Sequence, residues 1–256
     1  MYLVSVLKRK RISQEQLFML SVLIVNGGNY LYNLILGRIL GPEQFADAAV
    51  LITFLLVLSF VAMTFQLVTA KFSVVFEDNL FTSFISKVYK NAIIAGISFG
   101  ALIIIFSKQL QEIFNTASSS MFVVFGIGVP LYFLMSVNRG VFQGKKAFKL
   151  LSITYQTEML SRLLITLGLI CLFNIQSSLV IAIGILISFG FGLIPFKFEN
   201  LNFKTSYVIE ASHSKLVRNF FIITAFYEFT QIIINNSDIL LVKHYFESYE
   251  AGLYAS

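Results

Sequence analysis

Residues 37–50, GRILGPEQFADAAV, lie between two long apolar runs, residues 17–37 and 48–70. One cation, two anions and a Gly-Pro pair interrupt the oily sequence there. A bilayer core is crossed by about 20 apolar residues in helical form, so two such runs joined by a short polar break read as a helical hairpin with its tip outside the hydrocarbon. Gly41 and Pro42 supply the turn, because proline presets its own backbone angle and glycine tolerates unusual ones. Asp47 is expected to open the second helix, where a carboxylate suits the positive end of the dipole, with Arg38 in reach of Glu43 or Asp47 across the hairpin. A second reading of Arg38 places it at the outer mouth of a central cavity, holding an anionic substrate.

The same pattern extends along the chain. Of its 256 residues 57% are hydrophobic and only 12% charged, and the mean hydropathy is +0.82; a soluble domain carries about 25% charged residues. The fold class is therefore an all-α polytopic membrane bundle. Seven candidate spans follow at residues 17–37, 48–70, 92–106, 121–137, 150–173, 179–196 and 220–242. Cys171 is the single cysteine, which excludes an intrachain disulfide and a cysteine-rich metal site.

The net charge of +6 is scattered among short connectors rather than gathered on one soluble face, so it argues for membrane orientation and against nucleic acid. With a cytoplasmic N-terminus and a retained first span, the inner segments carry Lys8, Arg9, Lys10, Arg11, Lys71, Lys87, Lys90, Arg139, Lys145, Lys146, Lys149, Lys197, Lys204, Lys215 and Arg218. Of the 19 Lys and Arg, that leaves Arg38, Lys108 and Lys243 outside and Arg162 within a span. The expected location is the cytoplasmic membrane. No connector is long enough for a soluble domain, which confines any chemistry to the bundle or its mouths.

Residues 241–256 repeat the arrangement of residues 34–50 at an offset of 206: a polar-striped helix, a cationic end, a short acidic hairpin and a small-residue helix start. Internal repeats of this kind recur in transporters, which bind substrate where the repeats meet. The expected domains are residues 1–218, a six-helix lobe with its cytoplasmic loop, and residues 219–256, the first helix of a second, incomplete lobe.

Three stretches then point to a family. LGRILGPEQFADAAV (residues 36–50), NRGVFQGKKAFKLL (138–151) with TEMLSRLLITLGL (157–169), and SDILLVKHYFESYEAGLYA (237–255) resemble, in order and spacing, motifs of bacterial polysaccharide flippases. These are the O-antigen (lipopolysaccharide) and capsule repeat-unit transporters of the multidrug/oligosaccharidyl-lipid/polysaccharide exporter superfamily. Ala46-Asp47 departs from the glycine and apolar residue expected after Phe45. The resemblance implies two helical lobes around a cavity that opens alternately to either side. It implies undecaprenyl-pyrophosphate carrying an oligosaccharide as substrate, membrane lipids and polysaccharide polymerase machinery as partners, and this chain as an N-terminal portion. Lipid II and multidrug exporters belong to the same superfamily and remain alternatives.

The candidate substrate-binding residues are polar groups inside the spans, each costing roughly 2.5–3.5 kcal/mol at a helix centre when charged. Glu158 and Arg162 share a helix face four residues apart; they read as a structural ion pair or as a cavity arginine for pyrophosphate, tuned by its carboxylate. Asn26, Asn29, Asn33 and Gly37 stripe the first span, and Glu228, Gln231, Asn235 and Asp238 the seventh. Each stripe reads as interhelical hydrogen bonding or as the wall of a water-filled sugar path. Glu228 and Asp238 are also candidates for a coupling proton or sodium ion. Gly96 and Gly100 make a GxxxG step for close packing, and Lys145, Lys146 and Lys149 would lie near anionic headgroups. His213 and His244 stand alone, and no Walker, zinc or nucleophile-elbow motif occurs, so no cofactor, metal or catalytic residue is assigned. Two further classes compete with transport. A polyprenyl-dependent glycosyltransferase or polymerase would use acids such as Glu43 and Asp47 under a large outer loop, which is missing; an inactive truncated partner protein would not transport.

Overall fold

The computed structural model describes residues 13–173, 177–197, 201 and 210–255. The run Lys8-Arg9-Lys10-Arg11, on which the expected N-terminal orientation leaned, lies outside them, as does Lys204. The helices are α1 (Gln14–Val75), α2 (Asp78–Ile105), α3 (Ser107–Ile113), α4 (Ser120–Gly144), α5 (Phe148–Phe173), α6 (Ser178–Gly192), α7 (Ala211–Tyr245) and α8 (Ser248–Ala255), with no strand among the described residues.

Ser13 starts α1 with a capping box: its hydroxyl accepts from Gln16 N, and Gln16 Oε1 accepts from Ser13 N, satisfying two otherwise orphaned donors. α1 then turns a corner at Gly41 (φ 73°, ψ 170°), backbone angles essentially reserved for glycine. Pro42 follows, and its missing N–H costs little because the first helical position has no intrahelical acceptor. The arms on either side double back on each other. Ser21 of the first arm accepts from Gln156, while Gln66 of the second donates to Tyr155, so both arms end against one turn of α5. The hairpin expected from residues 37–50 is this corner.

Small residues then bring helices to backbone contact. A Cβ at Gly96 would stand 2.6 Å from Pro130 Cα, and one at Gly100 would strike Gly126 O, which locks α2 to α4. Gly140 and Gly144 repeat the step on the other face of α4, against Gln66, Thr69 and Ala70 of α1. Without a hydrophobic force between helices in lipid, such close packing is what holds them together. α7 lies along the second arm of α1 through the edge-to-face pairs Phe60–Phe229, Phe65–Phe221 and Phe72–Phe220. Outward faces stay apolar, as at Leu20, Leu23 and Ile24, a surface suited to acyl chains. α1, α2 from Asn79, and α4 are long and apolar enough to cross a membrane; α6 is a shorter apolar helix. The chain is an all-α membrane helix bundle.

Two sequence expectations change. The third apolar run, residues 92–106, is the far part of α2, which begins at Asp78, so Lys87 and Lys90 ride on a helix rather than in a connector. Lys71, Lys149, Lys215 and Arg218 likewise sit on helices. Long cationic side chains reach water from within a helix, and apolarity therefore stops before the helix does.

Candidate functional site

Both arms of α1, together with α4, α5 and α6, enclose a cavity of about 490 Å³, within the usual range for small-molecule sites. Asn26, Asn29 and Asn33 of the first arm line it, as do Gln66 of the second, Tyr132, Ser136 and Arg139 of α4, and Tyr155, Glu158 and Arg162 of α5.

Glu158 is the hub. Its Oε2 accepts from Arg139 Nη2 at 2.7 Å, and its Oε1 stands 3.6 Å from Arg162 Nη1. Arg139 is fixed further: Nε donates to Thr154 Oγ1, Nη2 donates to Thr154 O, and Cζ lies 3.9 Å from the centre of the Tyr155 ring. Arg162 is held more lightly, donating to Asn29 Oδ1 at 2.6 Å with the Tyr32 ring 5.7 Å away. Gln66 completes the wall, donating to Gln143 Oε1 and Tyr155 Oη. Arginine stays ionised in proteins, so two guanidiniums share one carboxylate and the cluster carries a net positive charge.

Arg139 corrects the sequence reading, which placed it among inner connector cations. It is 5% exposed and lies inside α4, which continues seven residues beyond the apolar run ending at 137. The glycines at 140 and 144, spaced four apart, were the available signal that a packed helix continues past Arg139.

A second polar cluster sits at the Gly41 end of the bundle. Asp47 is 3% exposed and does not serve as a dipole cap; its Oδ1 lies 3.2 Å from Lys243 Nζ, and its Oδ2 accepts from Ala117 N. Lys243 also donates to Ser248 Oγ, and His244 Nδ1 donates to Ile113 O. Gly252 of α8 rests directly on Pro42. The turn between α7 and α8 is thereby fastened to the α1 corner, and the two similar sequence segments, residues 34–50 and 241–256, meet in space. Asp47 thus pairs with Lys243, not with Arg38.

Of the candidate residues, Asn29, Asn33, Glu158 and Arg162 share the cavity. Arg38 lines a separate hollow of about 380 Å³ with Asn33, Gly37 and Leu253 at the Gly41 end. Glu228 is half-buried on α7, and Asp238 accepts from Tyr254 Oη; neither lines the central cavity. The side chain of Asn235 lies outside the described residues. Among the described residues no group of three His, Cys, Asp or Glu is placed to hold a metal ion.

A family model described as polysaccharide biosynthesis protein matches residues 35–256. No curated protein and no solved structure matches the chain.

Proposed function

We propose a function from the polysaccharide biosynthesis protein family, to which this chain belongs: export of lipid-linked oligosaccharide repeat units across the cytoplasmic membrane by alternating access. The coarse role, a membrane protein of polysaccharide biosynthesis, follows from family and fold together. The observation that carries the finer reading is the Arg139–Glu158–Arg162 cluster, two guanidiniums with one carboxylate in a cavity whose other polar lining is amides and hydroxyls, set among apolar side chains such as Leu55 and Met63.

A diphosphate suits that cluster because the planar guanidinium fork binds phosphate bidentately. Arg162 is the exchanging member. Its pair with Glu158 is the longer one, at 3.6 Å, and its remaining tie is to Asn29, so an arriving diphosphate competes with a carboxylate already at arm's length. Arg139, bonded to Thr154 and Glu158, stays as the fixed cation. Asn26, Asn33 and Gln66 then offer hydrogen-bond partners to sugar hydroxyls. The excess of positive charge favours an anionic lipid over a cationic drug. In this reading the Gly41 end faces outward, and the Asp47–Lys243 contact fastens that end in one of the two alternating states. Glu228 and Asp238 of α7 are the candidate carriers of a coupling proton or sodium ion.

The test is export in cells that depend on this protein, at matched membrane levels. Arg162→Gln should reduce export at least tenfold, and Arg162→Lys should retain part of it. Undiminished export with Arg162→Gln overturns the assignment.

A further inference from the structure

Away from the central cavity, α2 and the start of α7 frame a second cavity of about 660 Å³ at the end of the bundle opposite Gly41. Its character is amphiphilic. The floor is apolar, formed by the edge-to-face pair Phe65–Phe221 (ring centres 5.4 Å apart) with Val88 and Val217. The rim is cationic: Lys87 from α2, and Lys215 and Arg218 from the first two turns of α7.

Membrane orientation alone asks only that cations lie somewhere at one end of the bundle. It does not ask that three of them, from two helices, converge on one hollow. Among the described residues no Asp or Glu lines that hollow, and none of the three cations has an ion-pair partner. The acid nearest in sequence, Glu210, is exposed and faces His213 at 3.8 Å. Neighbouring Lys71 is different, because it lies 3.8 Å over the Phe220 ring and has its own partner there. Like charges gathered without a counter-ion repel one another, and an anion entering between them removes that cost. Asn91 and Ser214 on the same wall add neutral hydrogen-bonding groups. A cationic rim above a phenyl and valine floor matches a molecule with a phosphate at one end and hydrocarbon at the other.

We propose that the cavity between α2 and α7 binds the phosphate of a lipid headgroup, held by Lys87, Lys215 and Arg218, with the attached chain lying over Phe65 and Phe221. The site is separate from the Arg139–Glu158–Arg162 cluster and stands whether or not the protein exports oligosaccharide. Two sources share this chemistry, an anionic membrane phospholipid and a polyprenyl diphosphate.

The experiment is native mass spectrometry of the full chain with phosphatidylglycerol and with zwitterionic phosphatidylcholine. The expected result is at least a tenfold preference for phosphatidylglycerol, lost in K87Q/K215Q/R218Q and kept in K145Q/K146Q/K149Q, which removes equal charge at the same end but outside the cavity. The single variants K215Q and R218Q change exposed side chains without disturbing the core, and each should lower the preference several-fold. Farnesyl diphosphate is then added as competitor: displacement of the phosphatidylglycerol identifies a polyprenyl diphosphate as the ligand, and retention identifies the phospholipid. An unchanged preference in the single and triple rim variants overturns the site, and so does an equal loss in the K145Q/K146Q/K149Q control.

Discussion

Replacing Glu158 with glutamine should destabilise the bundle far more than replacing either arginine it serves. The geometry sets the order. Glu158 is 9% exposed and bridges Arg139 at 2.7 Å and Arg162 at 3.6 Å; at an effective dielectric near 20, charges at such separations attract by ~5 kcal/mol. Desolvation offsets most of that attraction, but removing one partner leaves the other buried and unpaired, which costs about 3–5 kcal/mol. Glu158→Gln leaves two unpaired guanidiniums in one cavity. Arg162→Gln, by contrast, leaves the short Arg139–Glu158 pair and its Thr154 bonds intact, and should cost about 1.5 kcal/mol, the lower end of the range for one hydrogen bond to a charged group. With a melting shift of about 2–4 °C per kcal/mol for a chain of this size, Glu158→Gln should melt roughly 10 °C below the parent and Arg162→Gln within about 5 °C of it. Far-UV circular dichroism of the full chain in nanodiscs measures both. The double variant Glu158→Gln/Arg162→Gln should melt above Glu158→Gln alone, since one unpaired cation remains instead of two. Equal melting of the two single variants would refute the idea that one carboxylate holds both arginines.

The contact at the Gly41 end predicts that Asp47→Asn or Lys243→Ala frees the α7–α8 turn, so hydrogen–deuterium exchange should rise at least tenfold in residues 113–118 and 243–252; unchanged protection there would mean the ion pair fastens nothing. Gly100→Val should prevent α2 from packing on α4, because its added atoms meet the backbone oxygen of Gly126, and folded protein should disappear from size-exclusion profiles. Gly168→Ala is its control: nothing lies within 4 Å of the new Cβ, and helix propensity should raise stability by about 0.5–1 kcal/mol. The proposed orientation predicts that Lys108→Cys, in a Cys171→Ser background, reacts with a membrane-impermeant maleimide added to intact cells, whereas labelling only after lysis would reverse the topology.

Local periodicity carried the reading where the contacts are local. Asn29 and Asn33, four apart on one arm of α1, and Glu158 and Arg162, four apart on α5, reach the same cavity because helical spacing alone puts each pair on one face. The corner at Gly41-Pro42 was legible for the same reason: two adjacent residues contain its whole explanation. Arg139 was not, because apolar run length ended its helix at 137 and a charge-counting rule then claimed the residue for a connector. Its burial depends on Glu158, 19 residues later. Asp47 and Lys243 are 196 residues apart and carry no shared pattern, so only the packing of α7 and α8 onto the α1 corner discloses their pairing. The cavity between α2 and α7 escaped for a related reason, since its cations come from two helices whose adjacency no sequence period reports.

Binding of a polyprenyl diphosphate-linked oligosaccharide to the purified full chain in nanodiscs tests the central claim, that the paired arginines hold the diphosphate. The parent protein should bind it, and the corresponding uncharged polyprenol-linked sugar should bind far more weakly. Loss of one charge-assisted contact, worth about 1.5–3 kcal/mol, should make Arg162→Gln about 10- to 100-fold weaker, while K87Q/K215Q/R218Q keeps affinity at the central site. Equal affinity of the parent and Arg162→Gln, or no preference for the diphosphate over the uncharged lipid, would contradict the account.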